Sequence, residues 1–156
     1  MFNYIKDFLE ERTFQVRVEQ ALSKIKEQTN GTPQGSVISP TLFSVLVNNI
    51  SQIETKYPEI ALGQFADDTA MWVKANHAQN KKNKSRNKNL KEAIEKPTNE
   101  VIHALQEKGF KVNVNKTQAI FFNNPENPTL TIGGNEVKST ETIKYLGITF
   151  DKKLNF

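Results

Sequence analysis

Apolar residues recur along this chain with two periods, and the changes of period mark its elements. Phe2, Ile5, Phe8 and Leu9 fall on one face at helical spacing, so residues 2–11 read as a short amphipathic helix. The stretch Thr13-Phe14-Gln15-Val16-Arg17-Val18 alternates, which predicts a half-buried strand with Phe14, Val16 and Val18 inward. An extended piece at 24–29 is placed to pair back with it. Leu42, Phe43, Leu46, Val47, Ile50 and Ile53 return to the helical period and predict an amphipathic helix over 38–54, with Ser36 or Ser39 as its cap. Two strand-length runs, Ile60–Phe65 and 70–73, then flank Asp67 and Asp68, which predicts a β-hairpin carrying both carboxylates at or just before its tip.

Further on, Leu90, Ile94, Val101, Ile102 and Leu105 mark a second helical stretch stopped by Gly109. Pro97 is expected to split it, ending one helix near Glu95 and opening the next. Short strands are expected at 111–115 and 117–122 around Lys116, and a loop at 123–128. Gly133-Gly134 between Thr129–Ile132 and 135–137 signals a two-residue hairpin. Residues 143–150 read as a final strand pair or a bent strand, with a bulge at Gly147. The expected fold is α+β, with helices on one face of a three- or four-stranded antiparallel sheet whose central hairpin holds Asp67 and Asp68. There is no internal repeat and no clear linker.

Composition narrows this picture. A chain of 156 residues suffices for one domain with its own core, and no apolar run is long enough to span a membrane. The start, Met1-Phe2-Asn3-Tyr4-Ile5-Lys6, lacks the apolar core and cleavage site of a secretory signal. The absence of cysteine removes disulfides, thiolate metal sites and cysteine nucleophiles, and fits an intracellular protein of the cytoplasm or nucleus. Net charge is +4 and pI about 9.2, which favours a polyanionic partner. The charge concentrates in Asn80-Lys81-Lys82-Asn83-Lys84-Ser85-Arg86-Asn87-Lys88-Asn89-Leu90-Lys91, which reads first as a solvated loop and second as a phosphate-contacting one. His77 and His103 have no metal-ligand spacing to the carboxylates.

Two stretches carry candidate chemistry. Asp67-Asp68 is an ordinary turn dipeptide taken alone, but a tight turn can also bring both carboxylates toward one metal ion. In Gly31-Thr32-Pro33-Gln34-Gly35-Ser36, two glycines and a proline fix a tight backbone at a helix entrance. Gly35 there lets a ligand approach the backbone, and Gln34 offers both a donor and an acceptor.

Four stretches, in order, resemble the palm of reverse transcriptases. Gly31-Thr32-Pro33-Gln34-Gly35-Ser36-Val37-Ile38-Ser39-Pro40-Thr41-Leu42-Phe43 resembles motif B, and Phe65-Ala66-Asp67-Asp68 resembles motif C. Gly109-Phe110-Lys111-Val112-Asn113-Val114-Asn115-Lys116-Thr117 resembles motif D. Lys144-Tyr145-Leu146-Gly147-Ile148-Thr149-Phe150-Asp151 resembles motif E, the primer grip, and with Lys152-Lys153-Leu154-Asn155-Phe156 is similar to the jockey-like retrotransposons without long terminal repeats.

The resemblance covers about residues 29–156, and Phe8, Leu9, Arg12, Phe14 and Val16 also resemble the segment before motif B. It implies a reverse transcriptase domain over 1–156 that is the C-terminal part of a palm, motifs B to E, with motif A, fingers and thumb absent. The aspartate before motif B is Asp7, whose surroundings do not resemble motif A.

For function, the resemblance implies an RNA-directed DNA polymerase using two Mg²⁺ ions, or Mn²⁺, on RNA template, DNA primer and dNTP. Asp67 would be the catalytic metal ligand and Asp68 its support. Pro33, Gln34, Gly35, Ser36 and Phe65 would line the nucleotide and template pocket. Lys116 would act beside the pyrophosphate as charge stabiliser or proton donor, and Tyr145, Leu146 and Gly147 would grip the primer. A further partner would be an N-terminal palm and fingers half; no membrane is involved. The alternative is a catalytically dead, nucleic-acid-binding palm remnant. A third, weaker reading is a small metal-dependent phosphohydrolase using Asp67 and Asp68.

The charge pattern sets a first test. Binding to primer–template duplex should be sequence-tolerant and fall steeply with salt. Replacing Lys81, Lys82, Lys84, Arg86 and Lys88 together by glutamine should flatten the slope of log K against log salt if the basic run touches phosphate; an unchanged slope assigns it to solvent.

Overall fold

The helical period at the start of the chain gives α1, Phe2–Leu9, in a computed structural model that describes residues 1–73, 83–124 and 126–154, with 83–89 by backbone alone. The chain divides into two units, Met1–Val45 and Leu46–Phe156.

In the first unit, Tyr4 and Phe8 stack one turn apart on α1, and Arg12 donates from Nε to the Leu9 carbonyl at 3.1 Å, satisfying an orphan acceptor at the helix end. The expected pairing follows: β1 (Thr13–Phe14) runs antiparallel to β4 (Lys26–Glu27), and β2 (Arg17–Val18) to β3 (Ala21–Leu22). One half-buried strand over 13–18 does not form. Ser23 opens the ladder in the middle, because its hydroxyl accepts the Val16 N–H at 2.9 Å while Gln15 donates from Nε2 to the Ser23 carbonyl. Phe14, Val16 and Val18 are exposed rather than inward; a two-stranded ribbon cannot cover its own apolar face.

The second predicted helix also breaks. α2 covers Ser39–Val47, a 3₁₀ turn covers Asn48–Ser51, and α3 covers Gln52–Lys56. Ser51 donates to the Asn48 carbonyl at 2.7 Å, the local side-chain bonding by which Ser and Asn compete with the α-helix. Val47, Ile50 and Ile53 all remain buried. Their spacing of three is the 3₁₀ repeat, so the tighter turn keeps one apolar stripe inward.

The second unit holds three hairpins: β5 (Ile60–Phe65) with β6 (Asp68–Val73), β7 (Thr129–Ile132) with β8 (Asn135–Lys138), and β9 (Thr142–Tyr145) with β10 (Ile148–Asp151). Gly133 and Gly134, at φ 56° and 75°, form the expected two-residue turn. Gly147 is no bulge: Leu146 and Gly147, at φ 48° and 84°, are themselves the two-residue turn of the β9–β10 pair, with Tyr145 opposite Ile148. The segment 111–122 forms no strands; Lys116 ends a 3₁₀ turn, Val114–Lys116, held by its N–H on the Asn113 carbonyl. Val112, Val114, Ala119 and Phe121 still pack on the core of Ile102, Leu130, Ile132 and Val137.

Joining these hairpins is α4, Asn83–Glu107, one helix that runs through Pro97 rather than ending before it. Packing opposes the break. Pro97 is fully buried, and the carbonyls of Ile94 and Glu95 beside the gap receive extra donors from the side chains of Thr98 (2.6 Å) and Asn99 (2.8 Å). The basic run is therefore helical from Asn83 onward and not a loop, while 80–82 lie outside the described residues, as does His77.

Among the described residues every ladder has two strands, so the fold is α+β with small antiparallel sheets and not one sheet of three or four strands. Side chains occupy positions a further strand could use. Glu54 accepts the Leu62 N–H of β5 at 2.8 Å. On β7, Glu95 accepts the Thr131 N–H, Asn99 donates to the Thr131 carbonyl at 3.0 Å, and Asn99 accepts the Gly133 N–H at 2.7 Å. No helix is long and apolar enough to cross a membrane among the described residues.

Two consequences are measurable. Asn99→Ala removes the bridge from α4 to β7 and should cost about 1–2 kcal/mol in urea unfolding, since the freed groups are exposed and water replaces part of the loss. Glu100 ties α4 to α3 by accepting from Lys56 at 2.7 Å and from the Tyr57 hydroxyl at 2.5 Å. The Lys56 bond, then the Tyr57 bond, lowers the Glu100 pKa below its ordinary value. Its contribution is therefore whole above the unfolded carboxylate range and is lost as pH falls through the lowered folded value. Glu100→Gln should flatten that acid limb of the stability profile; an unchanged limb would show the tie contributes nothing.

Candidate functional site

An antiparallel register decides which side chains share a face, because residues directly opposite point the same way. In the β5–β6 hairpin Phe65 stands opposite Asp68, Gly63 opposite Ala70 and Ala61 opposite Trp72. These six form one face. Ile60, Leu62, Gln64, Thr69, Met71 and Val73 form the other, and there Thr98 of α4 donates to the Met71 sulfur at 3.7 Å. Ile60 is fully buried on it. The Asp68 face is thus the one turned away from α4.

The turn itself is Ala66-Asp67, so Asp67 lies at the tip as the sequence predicts, while Asp68 falls just after it and opens β6. Both carboxylates are exposed. Ala66 sits at φ 50°, a left-handed conformation that a residue with a Cβ adopts at a cost of about 1–2 kcal/mol. The strain lies directly beside the two carboxylates.

Two adjacent exposed carboxylates are hard oxygen donors of the kind Mg²⁺ takes, since that ion fills the rest of its octahedron with water and phosphate. Their chemistry, hard oxygen donors open to solvent, suits such an ion. Among the described residues, no group of three or more His, Asp or Glu stands close enough to hold a metal by protein ligands alone. His103 is on α4 within reach of Glu107 at 3.5 Å, away from any such group.

The third hairpin meets the Asp68 face. A methyl carbon placed on Gly63 would lie 3.2 and 3.4 Å from two ring carbons of Trp72 and 3.6 Å from the Tyr145 hydroxyl. Tyr145 is half-buried at the end of β9, and Leu146 and Gly147 follow it in the turn. Phe65 and Trp72 are 65% and 50% exposed, so the face is open on either side of this contact. Gly63 and Trp72 escape a reading for motifs, yet alternation alone puts Trp72 on the Asp68 face.

The remaining candidates are placed separately. Lys116 is exposed at the end of its 3₁₀ turn, whose Val114 packs under the β7–β8 turn at Gly133. In the first unit, Pro33 accepts the Ser36 N–H and, at 2.8 Å, the Ser39 hydroxyl, so Ser39 ties the loop to the helix instead of capping an N–H. Gly35, at φ 86°, takes the position of such a turn that requires positive φ. Gln34 and Gly35 are exposed, and nothing lies within 4 Å of where a Gly35 side chain would begin.

Comparison with known proteins gives a consistent result. The family described as reverse transcriptase (RNA-dependent DNA polymerase) matches residues 1–150. The RNA-directed DNA polymerase from mobile element jockey of Drosophila melanogaster is 31% identical over 166 aligned positions, covering 100% of this chain. Its counterpart from Drosophila funebris is 30% identical over the same share, and the probable RNA-directed DNA polymerase from transposon BS of Drosophila melanogaster is 29% identical over 99% of the chain. The chain spans 17% of the length of each of these relatives. No solved structure matches it.

The strained turn gives a prediction of its own. Ala66→Gly should raise stability by about 0.5–1 kcal/mol, the left-handed cost less the extra chain entropy of glycine. Thermal unfolding checks it, and a neutral or destabilising result would mean that Ala66 is not strained.

Proposed function

The chain belongs to the reverse transcriptase (RNA-dependent DNA polymerase) family, and we propose that it is the C-terminal part of a polymerase palm, motifs B to E, serving an RNA-directed DNA polymerase. Its substrates in this reading are an RNA template, a DNA primer and dNTPs, and its partner is a palm and fingers half carrying motif A. The observation that carries the reading is the Asp67-Asp68 turn, two exposed carboxylates on a hairpin whose other face is held by α4.

The family works with divalent metal ions. We take the ion here to be Mg²⁺, with Mn²⁺ as its substitute, held by Asp67 and supported by Asp68. Such an ion, when bound, stabilises the attacking and leaving oxygens of phosphoryl transfer. The chain's own residues bind and orient. Gly35 leaves the backbone open to a nucleotide or template strand, with Pro33, Gln34 and Ser36 around it and Phe65 beside the carboxylates. Lys116 supplies positive charge for the pyrophosphate side, and Tyr145, Leu146 and Gly147 hold the primer. A second reading, a nucleic-acid-binding palm remnant without activity, is favoured by one observation: no third metal-ligating group joins Asp67 and Asp68 among the described residues.

Primer extension on an RNA template with Mg²⁺ or Mn²⁺ separates these readings. The 156 residues alone should not extend, because two metal ions need carboxylates on both sides of the transferring phosphoryl group and this turn offers one side. Adding the motif A half of a jockey-type relative should restore extension, and Asp67→Ala should then lower it by at least about a hundredfold. Metal-independent duplex binding with no extension in any combination selects the remnant. Robust extension by the chain alone would overturn the half-palm assignment.

A further inference from the structure

Gly63 is a glycine without a backbone reason. Its φ lies outside the left-handed region, unlike those of Gly35, Gly133 and Gly147. In a strand interior glycine is weaker than alanine, so something else excludes the side chain. That something is the Trp72 ring lying diagonally across the strand, with the Tyr145 hydroxyl reaching the same point from β9. Gly63 and Trp72 both belong to the hairpin face that carries Asp68. Gly63 is two residues before Phe65, the partner of Asp68, so this contact lies about 7 Å along the strand from the carboxylate.

We propose that Gly63 and Trp72 are positioning residues, and that their fit against Tyr145 sets the distance between the Asp67-Asp68 turn and the Leu146-Gly147 turn. The inference rests on the polymerase reading and deepens it: the spacing places a primer 3′ end relative to the carboxylates. The β9–β10 hairpin has no ladder to β5–β6, so side-chain contact must do what hydrogen bonds do elsewhere in the unit. Trp72 is half exposed and can yield by the few tenths of an ångström that a methyl at Gly63 demands. Crowding there therefore displaces the Trp72 ring, and its fit beside Tyr145, more than it destabilises the fold.

The test uses the full 156-residue chain and two labelled duplexes of equal length, one with a recessed primer 3′ end and one blunt, in Mg²⁺. Trp72 is the one tryptophan of the chain, so intrinsic emission reports on this contact alone. Wild type should prefer the recessed duplex. Gly63→Ala should shift Trp72 emission, move Tm by no more than a few degrees, and reduce the preference about tenfold, the scale on which sub-ångström misplacement acts. Trp72→Leu alone should also reduce it, and the double variant, in which the methyl fills the space left by the ring, should restore most of it. A purely structural role would move Tm and leave the preference alone, and that result overturns the proposal. So does loss in both single variants with no recovery in the double. Absence of any preference in wild type would instead refute the polymerase reading and this inference with it. Should Gly63→Ala fail to fold, Trp72→Leu decides: an undiminished preference overturns the proposal.

Discussion

Two turns of α4, from Ile94 to Glu100, are the point from which the second unit is measured. Glu95 and Asn99, four residues apart and therefore on one face, take the backbone of β7 at Thr131 and Gly133. Thr98 reaches Met71 on β6. Glu100 closes on Lys56 and Tyr57 of α3. Three elements far apart in sequence are thus held by side chains of two successive turns, and Pro97 lies buried between them. A proline here removes one helical hydrogen bond, a cost of about 3 kcal/mol in an exposed helix. Burial of Pro97 in the packed unit offsets it, so the helix continues where propensity alone would end it.

That arrangement decides which face of the β5–β6 hairpin is available. Because Met71 and Ile60 point at the helical side, the strict alternation of the strands sends Asp68 and Phe65 the other way. The carboxylate face does not depend on any residue near the carboxylates. It follows from the apolar positions of the opposite face, and a one-residue register slip would turn Asp68 toward α4.

Elements specified by local chemistry were legible in the sequence. Gly133-Gly134 can hardly serve anything except a tight turn, and Asp67-Asp68 between two apolar runs reads as a hairpin tip, as found. What escaped was decided by partners distant in sequence. Pro97 reads as a helix break until its burial and its neighbours' side chains are known. Residues 111–122 have strand-like composition, but their apolar side chains pack on the core, and one isolated bridge, from Ala119 to Ser139, is the strand pairing they make among the described residues. Gly147 reads as a bulge in the sequence, and the Tyr145–Ile148 register makes it a turn residue instead. A hairpin signal between amphipathic helices points to one sheet of three or four strands; here Glu54, Glu95 and Asn99 take backbone groups of β5 and β7 instead.

The tightness of the Ala66-Asp67 turn has a chemical consequence for the carboxylates. Adjacent residues inside a strand point to opposite faces, so two neighbouring aspartates in a regular strand could not serve one ion. Asp67 is outside the pleat, in the turn, while Asp68 is bound to the strand's alternation. Only Asp68 therefore has its direction fixed by the sheet; Asp67 takes its direction from the turn, and the turn is held in shape by the left-handed Ala66. Relaxing the turn into extended backbone would give Asp67 and Asp68 the opposite directions of adjacent strand residues, so the direction of Asp67 depends on the turn that Ala66 makes.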